Sequence, residues 1–295
     1  AARNIFAAHD YVRSLDKDGD ALDKAVEAGK KQFVGFELPG RTLGVIGLGA
    51  VGVQVANVAL ALGMKVVGFD PAITVERAWQ LSSGVQQVES LDQLFNGADI
   101  ISAHVPLVES TKGIIDAAKL DRMHDGSILI NFSRRGIVKR QALMDALDSG
   151  KLHAFVTDFP TAELINHPKV IALPHLGAST SEAEENCAIM VAENVRDFLE
   201  NGNIRFSVNF PDAIMPRNGN YRITIANANV PNMVGQITSL LGDAGLNIED
   251  LLNKSRGDLA YTVVDLDGEV PQATLDAMRS IEGVLTLRNL GKSIS

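Results

Sequence analysis

Two different periods run along this chain, and the point where one gives way to the other divides it. In the first part, short apolar runs at 41–47, 65–70, 99–104, 127–131, 152–157 and 169–173 have the length of buried strands. Between them the spacing turns helical: 50–62 follows the first run, a short helix through Leu94 and Phe95 opens on Ser90 as its N-cap, and 139–147 is amphipathic and stops at Gly150. Strands that alternate with helices predict an α/β domain with a doubly wound parallel sheet. Ile5, Phe6, Ala8 and Val12 sit near helical spacing, so the chain opens on a helix.

A long helix follows, capped by Ser179 or Thr180 and running to about Leu199. Glu182, Glu184 and Glu185 fall in its first turns, where the helix dipole favours negative charge, and Asn201-Gly202 ends it. Residues 203–219 hold Pro211 and Pro216 and finish on Asn218-Gly219, a linker composition. From Tyr221 the period changes to two. Tyr221, Ile223 and Ile225 alternate with Arg222, Thr224 and Ala226, which predicts a strand with one wet face. A helix at 233–244 ends at Gly245; strands at 246–252 and 260–266, a helix at 271–281 and a strand at 284–290 complete a βαββαβ, ferredoxin-like unit. The expected division is 1–178, a connecting helix and linker at 179–219, and a small domain at 220–295.

With 46% hydrophobic and 21% charged residues, the chain can bury a sizeable core. Its formal charge of −9, with no basic stripe, argues against nucleic acid as a partner. No apolar run reaches the roughly 18 residues of a membrane span, and Ala1-Ala2-Arg3-Asn4 does not read as a signal peptide. The single cysteine, Cys187, cannot form an intrachain disulfide. Its neighbours Ala183, Met190 and Val191 place it on an apolar helix face as a buried thiol, and a reducing cytoplasmic setting is the default. No metal site is read.

Gly47-Leu48-Gly49-Ala50-Val51-Gly52 is G-x-G-x-x-G placed between a strand and a helix, the context in which the motif binds a dinucleotide. Gly47 permits the tight turn, Gly49 lets the backbone approach a pyrophosphate, and Gly52 lets helix and strand pack closely. Free N–H groups at the helix start face the anion. Asp70 ends the next strand. A carboxylate there accepts from both ribose hydroxyls and repels a 2′-phosphate, so NAD is expected in preference to NADP.

Three later segments, 131–136, 158–163 and 174–180, put Arg134, Arg135, Asp158, Glu163 and His175 near the ends of elements. His titrates near neutrality and suits proton transfer; the planar fork of Arg suits a carboxylate. His104 also ends a strand on the cofactor side. These stretches resemble the signature segments of the D-isomer-specific 2-hydroxyacid dehydrogenases, over residues 1–210. The resemblance implies a Rossmann-like dinucleotide domain and an Arg–Glu–His catalytic set. Arg134 matches the N-x-x-R arginine, which would bind the substrate carboxylate. His175, in P-H-x-G-x-S-T, would be the acid–base, and Glu163, in D-x-x-x-x-E, the carboxylate beside it. Asp158 matches the aspartate at the nicotinamide carboxamide, and His104-Val105-Pro106-Leu107 the family's H-V-P-L stretch beside the cofactor. Arg135 departs from the pattern, standing where the family usually has Gly, and the loop from Glu163 to His175 is short.

The tail is similar to ACT domains, where the resemblance implies an amino-acid effector, L-serine, at a dimer interface. Asn229 and Asn247 match effector asparagines, and Asn227 stands where a His is frequent. With Phe206-Ser207-Val208-Asn209-Phe210-Pro211 ahead of the linker, the tail points to the phosphoglycerate branch, hence to 3-phosphoglycerate as substrate and the first step toward serine. A homo-oligomer, by default an isologous dimer, is expected. Reduction of hydroxypyruvate or glyoxylate, and a non-catalytic sensor of NAD and an amino acid, stay open beside this. Relatives of this kind begin with a strand-rich segment of the substrate domain, so that segment is expected to be absent from this chain.

Overall fold

The computed structural model describes residues 1–217 and 221–292, and the chain divides into two compact units, Ala1–Gly177 and Ala178–Ser295. In the first unit seven strands run parallel: β1 Thr42–Ile46, β2 Lys65–Phe69, β3 Val85–Gln87, β4 Ile100–Ala103, β5 Ser127–Asn131, β6 Leu152–Thr157 and β7 Val170–Ala172. Their order is β3-β2-β1-β4-β5-β6-β7. The direction of winding reverses at β1, which pairs with β2 on one side and β4 on the other, and a crevice opens at the carboxyl ends of β1 and β4.

Helices α1 Ile5–Arg13, α2 Gly19–Gly29, α3 Ala50–Ala61, α4 Val75–Gln80, α5 Leu91–Gly97, α6 Ala117–Arg122, α7 Arg140–Asp148 and α8 Ala162–Ile165 complete this unit. Both sheet faces are buried. Ile46, Ile101 and Leu129 point into one apolar cluster with Leu94, Phe95 and Leu147; Val45, Ile100 and Ile128 point into the other with Val53, Ala56 and Val66. A strand buried on both faces reads as a continuous apolar run, which is why β1, β4 and β5 were visible in the sequence. β3 was not: it is a three-residue edge strand with one apolar side chain, Val85. The short α4, α6 and α8 have too few turns for a periodic signal. Each is set by a cap, Thr74 accepting from Arg77 N, Asp116 from Lys119 N, and Thr161 from Leu164 N.

The second unit opens with α9, Ser181–Asn201, which Thr180 caps by accepting from Ala183 N and Gly202 ends in the left-handed conformation. β8 Tyr221–Ala228, α10 Met233–Asp243, β9 Ile248–Arg256, β10 Leu259–Leu266, α11 Gln272–Arg279 and β11 Val284–Lys292 follow. The four strands form an antiparallel sheet in the order β11-β8-β10-β9, the expected βαββαβ arrangement. Ile223, Ile225 and Val264 pack under Ile237 and Leu241 of α10 and Leu275 and Met278 of α11.

The other face of this sheet corrects the sequence reading. Arg222, Thr224 and Ala226, expected in water, are buried. Ile204, Ala213 and Met215, from the stretch read as linker, lie in one cluster with Ala226, Tyr261 and Val263, and Ile204 and Ala213 exchange backbone hydrogen bonds. The stretch 203–217 therefore contributes Asn203, Ile204, Ala213 and Met215 to this unit's buried interior, while Asn218-Gly219 lie outside the described residues. Burial of Arg222 is possible because its charge is fully engaged. Nε and Nη2 donate to the two carboxylate oxygens of Asp265 at 2.5 and 2.7 Å, and the remaining N–H groups to the carbonyls of Asn201, Met215 and Pro216. Cys187 is a second correction. It is exposed, on a helix that buries none of its residues. Among the described residues no helix is long and apolar enough to cross a membrane.

Candidate functional site

The glycine turn closes as its sequence requires. Gly47 has φ +90° and donates to the Phe69 carbonyl at 2.9 Å. A Cβ on it would stand 2.8 Å from Val105 Cγ1, and one on Gly52 would stand 1.9 Å from the Gly47 carbonyl oxygen. Both positions are closed to side chains by the approach of α3 to β1 and of the His104-Val105-Pro106 segment to the turn. Gly49 differs, with nothing within 4 Å of the place a Cβ would occupy. It is the N-cap of α3, has no side chain to cap with, and leaves the N–H groups of the first turn, at Ala50, Val51 and Gly52, without a side-chain partner. An anion is what such a helix start accepts.

Asp70 follows β2 and turns its carboxylate to the glycine turn, accepting from Leu48 N at 2.8 Å and from Ala72 N at 2.9 Å. His104 follows β4. Its backbone N–H donates to the Ile46 carbonyl at 2.8 Å, and its ring Nε2 lies 2.8 Å from the Ser102 hydroxyl. Burial pushes its pKa down to about 4, so the ring is neutral at neutral pH. A neutral, hydrogen-bonded imidazole forms the wall beside the turn and is poorly suited to carry a proton there.

At the carboxyl end of β5, Asn131 builds the loop that presents Arg134. Its side-chain oxygen accepts from the backbone N–H and the hydroxyl of Ser133, and its amide donates to the Arg134 carbonyl at 2.9 Å. The Arg134 guanidinium is exposed and donates to the Ser133 carbonyl. At the end of β6, Asp158 is 10% exposed and its Oδ2 lies 2.7 Å from Nδ1 of His175, whose side chain is 58% exposed. The Phe159 ring lies against that imidazole, tilted by 50°, at 5.0 Å between centroids.

Glu163, expected beside the imidazole, is held elsewhere. It sits on α8, is 54% exposed, and pairs with Arg140 of α7 at 3.4 Å. The geometry thus places Asp158, not Glu163, against His175. The reason is local: Thr161 starts α8 only three residues after Asp158, and the helix carries Glu163 toward α7. No spacing rule in the sequence signals that turn.

The donors present fit a nicotinamide dinucleotide. The open cradle at Gly49 admits a diphosphate, and Asp158 Oδ1 is buried with no hydrogen-bond partner among the described residues, an acceptor suited to a donor such as a carboxamide. Residues 1–177 match the family model described as the D-isomer specific 2-hydroxyacid dehydrogenase, NAD binding domain. The chain belongs to this family.

Its dinucleotide is accordingly NAD. D-3-phosphoglycerate dehydrogenase of Escherichia coli K12 is 34% identical over 268 residues, 86% of this chain and 64% of that protein. The enzyme of the same name from Synechocystis is 36% identical over 278 residues, covering 89% of this chain and 48% of its own length. This chain therefore spans about two thirds or less of these relatives. Among solved structures, D-lactate dehydrogenase from Aquifex aeolicus, in complex with NAD and lactic acid, is 27% identical with a TM-score of 0.55, over 67% of this chain and 62% of its own.

The three candidate effector asparagines of the second unit are divided between the two ends of its sheet. Asn227 is buried, donates to the Ala228 carbonyl, and keeps an Oδ1 with no partner among the described residues; Asn229 donates to the Gly257 carbonyl. Asn247, by contrast, donates its backbone N–H to the Asp267 carboxylate and accepts from Asp267 N at its carbonyl. Along β10 the first pair sits by Leu259 and the last by Leu266, roughly 23 Å apart at about 3.3 Å per residue.

Proposed function

We propose that this chain carries the NAD-dependent oxidation of D-3-phosphoglycerate to 3-phosphohydroxypyruvate, the first step toward serine. The observation that carries the reading is the Asp158–His175 pair, set at the carboxyl edge of the sheet that bears the glycine turn. The relatives named D-3-phosphoglycerate dehydrogenase support the choice of substrate.

Because Nδ1 of His175 faces the Asp158 carboxylate, that nitrogen carries the proton and Nε2 is left as the free base. Nε2 takes the proton of the C2 hydroxyl. The negative charge of Asp158 fixes the ring's orientation and offsets the charge it gains. Arg134, exposed at the end of β5, holds the substrate carboxylate through its planar fork. The first turn of α3, Asp70, His104 and Asp158 Oδ1 would hold the dinucleotide, whose nicotinamide supplies the hydride acceptor when bound. The neutral His104 keeps the wall of that crevice uncharged.

For the second unit the reading is an ACT-like domain that binds L-serine between two copies of the chain. Asn229 and Asn247 are too far apart to grip one amino acid within a chain, so a shared site takes one end of the sheet from each copy of an isologous dimer. The test is a substrate panel followed by NADH formation: 3-phosphoglycerate is the expected substrate. Turnover confined to hydroxypyruvate or glyoxylate in the reverse direction would replace that substrate, and NAD binding without turnover on any 2-hydroxy acid would make the chain a sensor. Serine binding that follows dimer concentration in calorimetry checks the second unit.

A further inference from the structure

Arg135 stands where the family usually has glycine, and its surroundings give it a use. Its backbone begins the short turn Arg135–Ile137, which is anchored on the segment 107–115. The Gly136 carbonyl accepts from Gly113 N at 2.8 Å, the Ile137 carbonyl from Ile115 N, and a Cβ on Gly136 would stand 2.9 Å from Leu107 Cδ1. From this fixed base the guanidinium reaches across to the Pro160 carbonyl at 3.2 Å. That carbonyl belongs to the loop 158–161, two residues beyond Asp158.

The same loop borders a cavity on the side of Phe159 and Thr161. That cavity, of about 250 Å³, lies between the ends of β5 and β6, α7 and α8, lined among others by Arg135, Leu143, Phe155, Phe159 and Leu164. On that side the loop lacks the close packing that normally sets a side chain's position. Its other ties are a bond from Phe159 N to the Thr157 hydroxyl, the Thr161 cap of α8, and the Phe159 and Asp158 contacts to His175 itself. None of these reaches the Arg134 loop; Arg135 belongs to that loop, and its guanidinium joins it to the Asp158 loop.

We infer that Arg135 is a positioning residue: by holding the Pro160 carbonyl it fixes Asp158, and through it the His175 ring, relative to Arg134. The inference rests on the proposed role of His175 as the base, but its primary readout does not. In the NAD-bound protein, the Nδ1–H of His175 donated to Asp158 should give a downfield proton signal in NMR spectra, assigned by its loss in His175→Gln; absence of that signal from the parent protein overturns the inference. Arg135→Met removes the donor and keeps the stem that lines the cavity; Arg135→Lys restores one donor. The expected result is exchange of that proton about tenfold faster in R135M, the scale of one charge-assisted hydrogen bond, with at least half the effect reversed in R135K. In parallel, kcat should fall about tenfold in R135M with KM and NAD affinity nearly unchanged. An exchange rate in R135M equal to that of the parent protein overturns the inference, as does an R135K protein no better than R135M. If the parent protein turns over no 2-hydroxy acid, the proposed function fails alone, and the exchange rate still decides the role of Arg135.

Discussion

Asp158 and His175 are joined at 2.7 Å, while the glutamate that the family pattern would put beside that imidazole is paired with an arginine on α7. The two carboxylates are only five residues apart in sequence, yet β6 ends before the first and α8 carries away the second.

Asp158→Asn keeps the size of the side chain and removes its charge. It should lower kcat by about 100-fold, the low end of what a positioned acid–base contributes. Glu163→Gln should change kcat by about twofold or less, and stability by under about 1 kcal/mol, since its ion pair with Arg140 is exposed. Steady-state kinetics of the two variants side by side decide between the carboxylates; a larger loss in E163Q reverses the assignment.

The glycines of the turn should separate binding from folding. At Gly49 a methyl group meets no protein atom, so Gly49→Ala should melt within about 1 kcal/mol of the parent and yet bind NAD at least ~10-fold more weakly, because it fills the space left for the diphosphate. At Gly52 it would meet a backbone carbonyl at 1.9 Å, so Gly52→Ala should lose about 3 kcal/mol of stability along with binding. Thermal melts and calorimetric titration with NAD read the two effects. Full NAD affinity in G49A would remove the diphosphate from that cradle.

His104 sets an acid limit on the first unit. Burial holds its folded pKa at about 4, below the ordinary 6.5, so as pH falls the unfolded chain binds the proton first. Its contribution is complete above pH 6.5 and is lost as pH falls through that value toward 4, by about 3 kcal/mol in all. Replacement by Gln, which gains no proton, should flatten that part of the stability profile. Urea unfolding at pH 7 and pH 4.5 for both proteins measures the difference; parallel profiles would mean that the ring is protonated in the folded state.

In the second unit, Arg222→Met leaves Asp265 charged and buried, and strips bonds from the carbonyls of Asn201, Met215 and Pro216. It should cost about 3–5 kcal/mol, and Asp265→Asn a similar amount. Denaturant unfolding of each variant tests this. A loss below about 1 kcal/mol would mean that water reaches the pair.

Three neighbouring side chains show why α9 is part of this unit. Arg288 donates to the carbonyls of Phe198 and Leu199, Arg217 to that of Glu200, and Tyr261 to that of Gly202 at 2.8 Å. With Arg222 on Asn201, the last turn of the helix is satisfied carbonyl by carbonyl from the sheet and its flanks. In the sequence, Arg222 reads as part of the wet face of an alternating strand, because one-dimensional spacing does not reveal which carbonyls a long side chain can reach.

What the sequence by itself determined is whatever follows from short-range rules. Period separated the parallel sheet from the ferredoxin-like unit, since both faces of β1, β4 and β5 are apolar whereas the second unit begins by alternation. The glycine turn was legible because a positive φ at Gly47 and a near-contact at Gly52 are backbone constraints that only glycine meets. The tertiary structure alone decided which groups far apart in the chain share a site. It chose Asp158 as the partner of His175, placed Ser102 on the ring of His104, buried the polar face of β8 under residues 203–217, and left Cys187 in the open. Pairing and burial depend on where loops return across ten or twenty ångströms, and that path is fixed by the packing of the whole unit, not by the residues on either side.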